Sequence, residues 1–418
     1  MDDITRAGFV DITADWTPMA NAADNRSATG ASHQRPRTKV LVVGPVTAVG
    51  GIGQVARMSV GAMDTKRFDI ATCDTTKDTP EDRSLATALW SHVRRLGNLI
   101  HGIRKHQPDL VHLHTCSYLT FYRTLIDVAV CRCMGRNYVL HIHGGLFDEF
   151  LASLRGWKKA LVSNALRHAG RVIVLGHCWR TNLMRRVAGM DIAVLPNAIE
   201  LADEPCKSDA PETLRGVAFV GDLSEPKRPE DLIVAYAALP SPMRKAFPLH
   251  IVGGGTPLRK GHLRSLAVRL GIEDRVIFHG SLAHERVTKL LRSVDLFVLP
   301  SRAEGQPIAL MEAMAARAAS IVTGVGAIPE TVTDGVEARV INPCNPLQLA
   351  NAMRDLLPNA DKRRSMGHAA RLRVENDFAT ERFARNLAAI WDAEARRNAK
   401  KDAVPVPRLA TTTFRSIL

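Results

Sequence analysis

Short apolar runs rich in β-branched residues recur along the chain, each bounded by glycine, proline or polar clusters. In the first half they are KVLVVGP (39–45), FDIATC (68–73), LVHLH (110–114), NYVLHIH (137–143), RVIVL (171–175) and IAVLPN (192–197). In the second half they are GVAFVG (216–221), PLHIVGG (248–254), VIFHG (276–280), LFVLPS (296–301), SIVTG (320–324) and ARVIN (338–342). Their length and apolarity predict buried strands. Longer segments with helical patterning lie between them, such as RSLATALWSHVRRLGNLIHGIRKH. Strand alternating with helix predicts parallel sheets covered by helices. The expected fold class is α/β, with two doubly wound halves of similar plan and a ligand in the cleft between them, at the carboxyl ends of strands.

Polar segments divide the chain further. Residues 1–37 carry no sustained period and are expected to be a disordered arm. Residues 38–197 form the first domain, 198–214 a polar, proline-bearing linker, and 215–375 the second domain. A helix at 376–396 is expected to pack back toward the first domain, with 397–418 as a tail.

The most informative stretch is PSRAEGQPIALMEAMAARAAS, from Pro300 to Ser320. A strand precedes it, and Pro307 suits the first turn of the helix that follows. Glu304 falls in the loop and Glu312 about two turns on, roughly 10–12 Å away. That separation is too wide for two acids sharing one bond. It suits the two ends of one elongated ligand, with the helix N-terminus between them favouring an anion. A nucleotide-sugar has that form: sugar, diphosphate, ribose. The same spacing also fits a surface helix with solvated acids.

Two other loops have related chemistry. Gly50, Gly51 and Gly53 precede a helical pattern, where glycine lets backbone approach a phosphate. They do not form the dinucleotide fingerprint, and a plain βα turn reads the same way. Lys227 and Arg228 stand at a helix start, against the helix dipole, a placement that an anion satisfies.

Composition narrows the partners. The chain has 418 residues, 46% hydrophobic and 23% charged, as ordinary globular proteins do. No apolar run reaches membrane-spanning length, and the N-terminus shows no signal peptide. Seven scattered cysteines point to a reducing cytoplasm and no structural metal. His112, His114, His141 and His143 alternate along two predicted strands, with no nearby carboxylate or cysteine to complete a metal site. Net charge is +14, from 56 Lys+Arg against 42 Asp+Glu. Residues 150–190 hold no acid. Lys158 and Lys159 mix there with Leu151, Leu154, Trp157, Leu161, Val162 and Leu166 at helical spacing, which fits a helix lying on an anionic membrane surface, the expected reading, and also a core-facing helix whose charges are merely solvated. With 5% aromatics and no basic-aromatic interleaving, nucleic acid is not an expected partner.

In combination and order, these elements resemble the family 4 glycosyltransferases of GT-B fold, over about residues 38–396. The matching segments are VGGIGQVAR, HIHGG, VLPNAIE, VGDLSEPKRPEDLI, LHIVGGG, VIFHGSL and EGQPIALMEAMA. The resemblance implies transfer of a sugar from a nucleotide-sugar with retention at the anomeric carbon, no cofactor and no essential metal. It places Glu304 on the donor sugar hydroxyls, the Ile308 and Ala309 amides on phosphate, and Glu312 on the ribose. Lys227 would neutralise the diphosphate, Gly50 and Gly51 would close on the donor beside Gln306, and His143 would align or polarise the sugar. One position departs from the family pattern. Asp222 stands where a second cation is usual, so that either Asp222 points away or Arg228 substitutes. Tyr118, Phe121 and Tyr122 lie in a segment that resembles acceptor-side segments of bacterial polysaccharide enzymes, and fit a packed helix face equally. The expected acceptor is a glycan or a polyprenyl-diphosphate-linked lipid, in exopolysaccharide or other cell-surface polysaccharide synthesis at the inner membrane face. The alternatives are a UDP-sugar epimerase of related fold and a non-catalytic nucleotide-sugar-binding protein.

Overall fold

The computed structural model describes residues 37–48, 50–76, 85–201 and 215–402. Most of the expected arm, linker and tail (residues 1–36, 202–214 and 403–418) lies outside the described residues.

The apolar runs form two six-stranded sheets whose mapped strand pairs are all parallel. The first contains β1 (Thr38–Gly44), β2 (Phe68–Asp74), β3 (Leu110–Thr115), β4 (Tyr138–Ile142), β5 (Arg171–Val174) and β6 (Ile192–Val194). The second contains β7 (Val217–Val220), β8 (Leu249–Val252), β9 (Val276–Gly280), β10 (Leu296–Leu299), β11 (Ser320–Thr323) and β12 (Arg339–Ile341). Central strands such as β3, β4 and β10 are buried along their whole length, which explains their unbroken apolar character.

In the first half the helices are α1 (Gly51–Gly61), α2 (Leu85–His106), α3 (Leu119–Cys133), α4 (Phe147–Ser153), α5 (Gly156–Arg167) and α6 (His177–Arg186). In the second they are α7 (Pro229–Ala237), α8 (Ser241–Ala246), α9 (Pro257–Arg269), α10 (His284–Ser293), α11 (Ile308–Ala315), α12 (Ile328–Thr331), α13 (Pro346–Leu356), α14 (Ala360–Asp377) and α15 (Thr380–Asp402). None of the described helices is long and apolar enough to cross a membrane.

Strand order places the site. The first sheet runs β2-β1-β3-β4-β5-β6 and the second β12-β11-β10-β7-β8-β9. Each reverses direction beside its first strand, between β1 and β3 and between β7 and β10, where doubly wound sheets open a crevice. Gly50–Gly51 follows β1, Lys227 follows β7 and Glu304 follows β10, so the predicted loops all leave the ends that flank these crevices.

Helix α15 crosses to the first sheet. Trp391 is fully buried against Phe68 of β2, with ring centroids 5.3 Å apart, and Asp392 pairs with Arg67. Glu394, also fully buried, meets Arg171 at 3.1 Å. The helix extends beyond 396 to Asp402, into the stretch expected to be tail.

The membrane-helix expectation is corrected here. Residues 150–167 do not form one amphipathic helix. The chain breaks at Leu154–Arg155, and Gly156 opens α5 with a φ of 53°. Leu151, Leu154, Val162 and Leu166 pack in the first-half core, leaving Trp157 and Leu161 exposed. The apolar spacing records a core-facing stripe, the commoner use of that pattern. Phe121 likewise belongs to the core, in contact with Phe147 and Phe150, while Tyr118 stays partly exposed.

Candidate active site

Glu304 is the centre of the site. Its side chain is 6% exposed. Lys227 Nζ donates to both carboxylate oxygens, at 2.8 and 2.9 Å, and Ser301 Oγ donates to Oε1 at 2.6 Å. Thr323 Oγ1 holds the Ser301 carbonyl at 2.5 Å, so β11 buttresses the loop after β10. A buried ion pair with added hydrogen bonds is a placed pair, and removing one member leaves the other charge without compensation.

Both halves grip the Glu304 backbone. A Cβ on Gly145, from the first half, would come within 2.5–2.6 Å of Glu304 backbone atoms. A Cβ on Gly326 would meet the Glu304 carbonyl oxygen at 1.9 Å, and its φ of 57° also disfavours a side chain. Trp179 Nε1 of α6 donates to the Gly305 carbonyl at 3.2 Å. Glu330 of α12 accepts from the His177 and Cys178 amides, each at 2.7 Å, and so caps the N-terminus of α6 from the opposite half.

Pro307 is the N-cap of α11, one position before the first-turn place predicted for it. Ile308 and Ala309 then open the helix, where amides have no intrahelical acceptor. The Ile308 side chain faces Gly51, whose hypothetical Cβ would lie 3.2 Å from Cγ1. Gly50, with a φ of 125°, is the N-cap of α1 just before it. Gly51 and Ile308 therefore meet across the halves.

Glu312 stands near the other end. His284, at the start of α10, reaches its Oε1 with Nδ1 at 3.2 Å. The hydrogen bond to Glu312 raises the His284 pKa above the ordinary 6.5, with Arg57 and Glu200 acting on it in opposite senses. Sequence reasoning missed His284, because a single histidine at a helix start gives no sign of a partner on another helix.

Two predicted donor residues are turned elsewhere. Gln306 is buried behind the loop: Oε1 accepts from the Asn197 amide at 2.6 Å, and Nε2 donates to Thr331 Oγ1 at 3.1 Å. It thereby ties the junction after β6 to the site loop. Arg228 adopts a left-handed backbone and donates to both Asp231 oxygens at 3.0 and 2.8 Å. It does not take the second cationic position beside Lys227. Asp222 accepts from the Ser224 amide at 3.0 Å, holding its own turn.

His143 lies at the end of β4, and its carbonyl oxygen would be 2.5 Å from a Cβ on Gly305. Its Nε2 is 2.8 Å from His114 Nδ1. Burial pushes the pKa values of His112, His114, His141 and His143 down, that of His114 to about 3. All four are neutral imidazoles at physiological pH. Nitrogens of His112, His114 and His141 lie within 4.8 Å of one another, a separation a metal ion could span. The donor set fits one poorly: Trp391 N–H occupies the His112 Nδ1 lone pair at 2.9 Å. With that nitrogen an acceptor, His112 could ligate through Nε2 only as an imidazolate.

Known proteins share both the sequence and the architecture. The model for "Glycosyl transferases group 1" matches residues 202–373, and that for "Glycosyl transferase 4-like domain" matches residues 46–198. The chain is 32% identical over 181 residues to D-inositol 3-phosphate glycosyltransferase of Streptomyces coelicolor, which is 42% of this chain and 39% of that protein. Over 292 residues it is 26% identical to alpha-D-kanosaminyltransferase of Streptomyces kanamyceticus, 64% of this chain and 73% of that protein. The chain thus spans about two fifths of the first of these relatives. Among solved structures, sucrose-phosphate synthase from Thermosynechococcus elongatus superposes with a TM-score of 0.70 at 19% identity, covering 85% of this chain and 99% of that one. Anabaena Alr3699/HepE in complex with UDP-glucose gives 0.68 at 18%, covering 85% and 100%. These structures share the fold.

Proposed function

From a chain that belongs to the family 4 glycosyltransferases of GT-B fold, we propose a retaining transferase that moves a sugar from a nucleotide-sugar to a glycan or polyprenyl-diphosphate-linked acceptor. The setting we propose is exopolysaccharide or other cell-surface polysaccharide synthesis. The observation that carries this reading is the convergence of Glu304, Lys227 and the α11 N-terminus on the crevice end of β10. In the proposed complex the diphosphate takes over Lys227 and the sugar hydroxyls take over Glu304. The departing diphosphate gains charge in the transition state, and stabilising that charge is the main demand on the protein. Lys227 and the first-turn amides of Ile308 and Ala309 supply it. Glu312 holds the ribose once His284 yields it.

HepE binds UDP and UDP-glucose, so uridine diphosphate sugars are the first donors to try. A thermal-shift screen of nucleotide-sugars identifies the donor by its stabilisation. Release of nucleotide diphosphate from that donor, with and without a lipid acceptor, then tests transfer. Release that needs no acceptor and yields only free sugar counts against a transferase, and no release at all favours a non-catalytic binding protein. With Lys227 and the α11 amides serving the diphosphate, activity is expected to survive EDTA. Loss with rescue by a divalent ion refutes that.

We also propose that the first half meets an anionic membrane surface from the cytoplasmic side. Its support is no longer an amphipathic helix. It is a cavity of about 350 Å³ among α4, α5 and α6, lined in part by Arg155, Lys159, Arg185 and Arg186, with Trp157 and Leu161 exposed on α5. Cosedimentation with anionic vesicles, reduced by Lys158→Glu with Lys159→Glu, tests it. Equal binding to neutral vesicles refutes it.

A further inference from the structure

The cavity among α4, α5 and α6 has a chemistry that the donor site does not use. Its volume, about 350 Å³, is in the range of small-molecule sites. Arg155, Lys159, Arg185 and Arg186 line it, and among the described residues no carboxylate does. The sequence explains this one-sided charge, since residues 150–190 hold no acid. Positions 159 and 163 stand one helical turn apart, so α5 brings Lys159 and Ser163 to the same wall. Lys158, one residue away, is not part of the lining; its Nζ lies over the Trp157 ring, 5.8 Å from the centroid.

Only some of these cations are answered. Arg186 pairs with Asp148 through Nε and, at 2.7 Å, through Nη2. Arg155 Nη1 donates to the Ala152 carbonyl at 2.6 Å and to the Leu154 carbonyl at 3.0 Å, at the end of α4. The side chains of Lys159 and Arg185 have no partner among the described residues. Like charges on one concave wall repel unless an anion shares the space.

Uncharged donors complete the set. Ser163 is 6% exposed, and its hydroxyl has no hydrogen-bond partner among the described residues. A polar side chain so buried ordinarily has one. Arg155 is also the N-cap of α5; it makes no side-chain cap, and no acid stands in the first turn. The first amides of α5 therefore lack an acceptor, at the positive end of the helix dipole.

The donors select the ligand. Two unanswered cations call for a dianion, whereas a carboxylate or a phosphodiester supplies a single charge. A phosphate monoester carries about −1.5 to −2 charges at pH 7 and presents three acceptor oxygens. We infer that the cavity among α4, α5 and α6 binds a phosphate monoester, borne by a lipid head or by a soluble phosphorylated molecule. Arg185 offers a planar fork for two oxygens, Lys159 a point charge and Ser163 a hydroxyl donor. The site depends neither on the donor reading of the crevice nor on the membrane reading of the first half. It holds one phosphate group, whereas a charged leaflet attracts through its field.

Inorganic phosphate, titrated by calorimetry into the full chain, is the first probe. Binding should saturate at a site that loses at least about tenfold in affinity with Lys159→Gln and with Arg185→Gln. Both residues are exposed, so these changes leave the core intact. Ser163→Ala, which suits a helix, should weaken binding by about fivefold. Lys158→Gln removes the same charge outside the cavity and should change affinity by about twofold or less. Vesicles then separate the sources. Phosphatidic acid, a monoester, is compared with phosphatidylglycerol, a diester, at matched surface potential. A preference for phosphatidic acid that needs Lys159 and Arg185 assigns the site to a lipid head. Equal binding to both vesicles, with inorganic phosphate bound as expected, assigns it to a soluble ligand. Phosphate binding that survives Lys159→Gln and Arg185→Gln but is lost in Lys227→Met belongs to the crevice and overturns the inference. So does an equal loss from Lys158→Gln and Lys159→Gln, the mark of a diffuse basic patch, or the absence of both saturable phosphate binding and a preference for phosphatidic acid.

Discussion

Acid should unfold this protein unusually steeply. The perturbation is a fall in pH below the ordinary histidine value of 6.5. His112, His114, His141 and His143 are buried and neutral in the fold, with pKa values pushed down by burial, that of His114 to about 3. A group whose folded pKa lies below its unfolded pKa contributes stability that is complete above the unfolded value and is lost as pH falls toward the folded one. The unfolded chain then binds the extra protons. Each group contributes a slope of about 1.4 kcal/mol per pH unit, and four give about 5 kcal/mol per unit once pH is about one unit below 6.5. His250 and His279 are shifted the same way and add to it, while His284 is shifted upward and subtracts. Against a total stability of about 5–15 kcal/mol, that slope unfolds the chain within about one to three pH units. Urea unfolding followed by tryptophan fluorescence, at steps between about pH 7 and pH 4.5, measures the slope. His141→Gln should reduce it by about 1.4 kcal/mol per unit. A slope below about one proton between pH 6 and pH 5 refutes neutral burial of the four histidines.

Three other expectations follow from the site. If the proposed donor complex is right, with Glu304 on the reacting sugar and Glu312 on the ribose, Glu304→Ala should chiefly lower kcat and Glu312→Ala should chiefly raise the donor KM; equal effects on both parameters from both variants contradict the assignment. His284 in its charged form ties up Glu312, so donor affinity should tighten as pH rises through the raised His284 pKa, and isothermal titration of His284→Gln should show that dependence flattened. Glu330→Ala removes two short hydrogen bonds between the halves, at a cost of about 2 kcal/mol or roughly a thirtyfold shift toward an open form; unchanged small-angle scattering and unchanged donor affinity would exclude Glu330 as a clasp.

The strands were legible because parallel strands covered on both faces must be apolar throughout, and β3, β4 and β10 are. The Glu304–Glu312 element was legible because its residues are close in sequence. What sequence could not supply were partners brought together by the tertiary fold. Gln306 and Arg228 sit inside matched motifs, yet Asn197 holds one and Asp231 the other, and those contacts decide where the side chains point. Trp179, His284 and Glu330 reach the site region from distant segments, with no local pattern to mark them. The stretch 150–167 misled for a different reason. A stripe of Leu and Val at helical spacing reads the same whether it faces lipid or its own core, and the break at Leu154–Arg155 shows only in the backbone.

The crossing of α15 also fixes the order in which the molecule can be completed. Trp391 and His112 are 279 residues apart, and Asp392 and Arg67 are 325 apart. During synthesis at about 5–20 residues per second, the first sheet waits on the order of tens of seconds for the helix that seals its histidine face. Contacts of such long range make folding slow and leave the unfinished half open to aggregation or to a chaperone. A fragment ending at residue 197 would contain every strand of the first sheet and still lack part of that sheet's core. The half synthesised first is the half finished last.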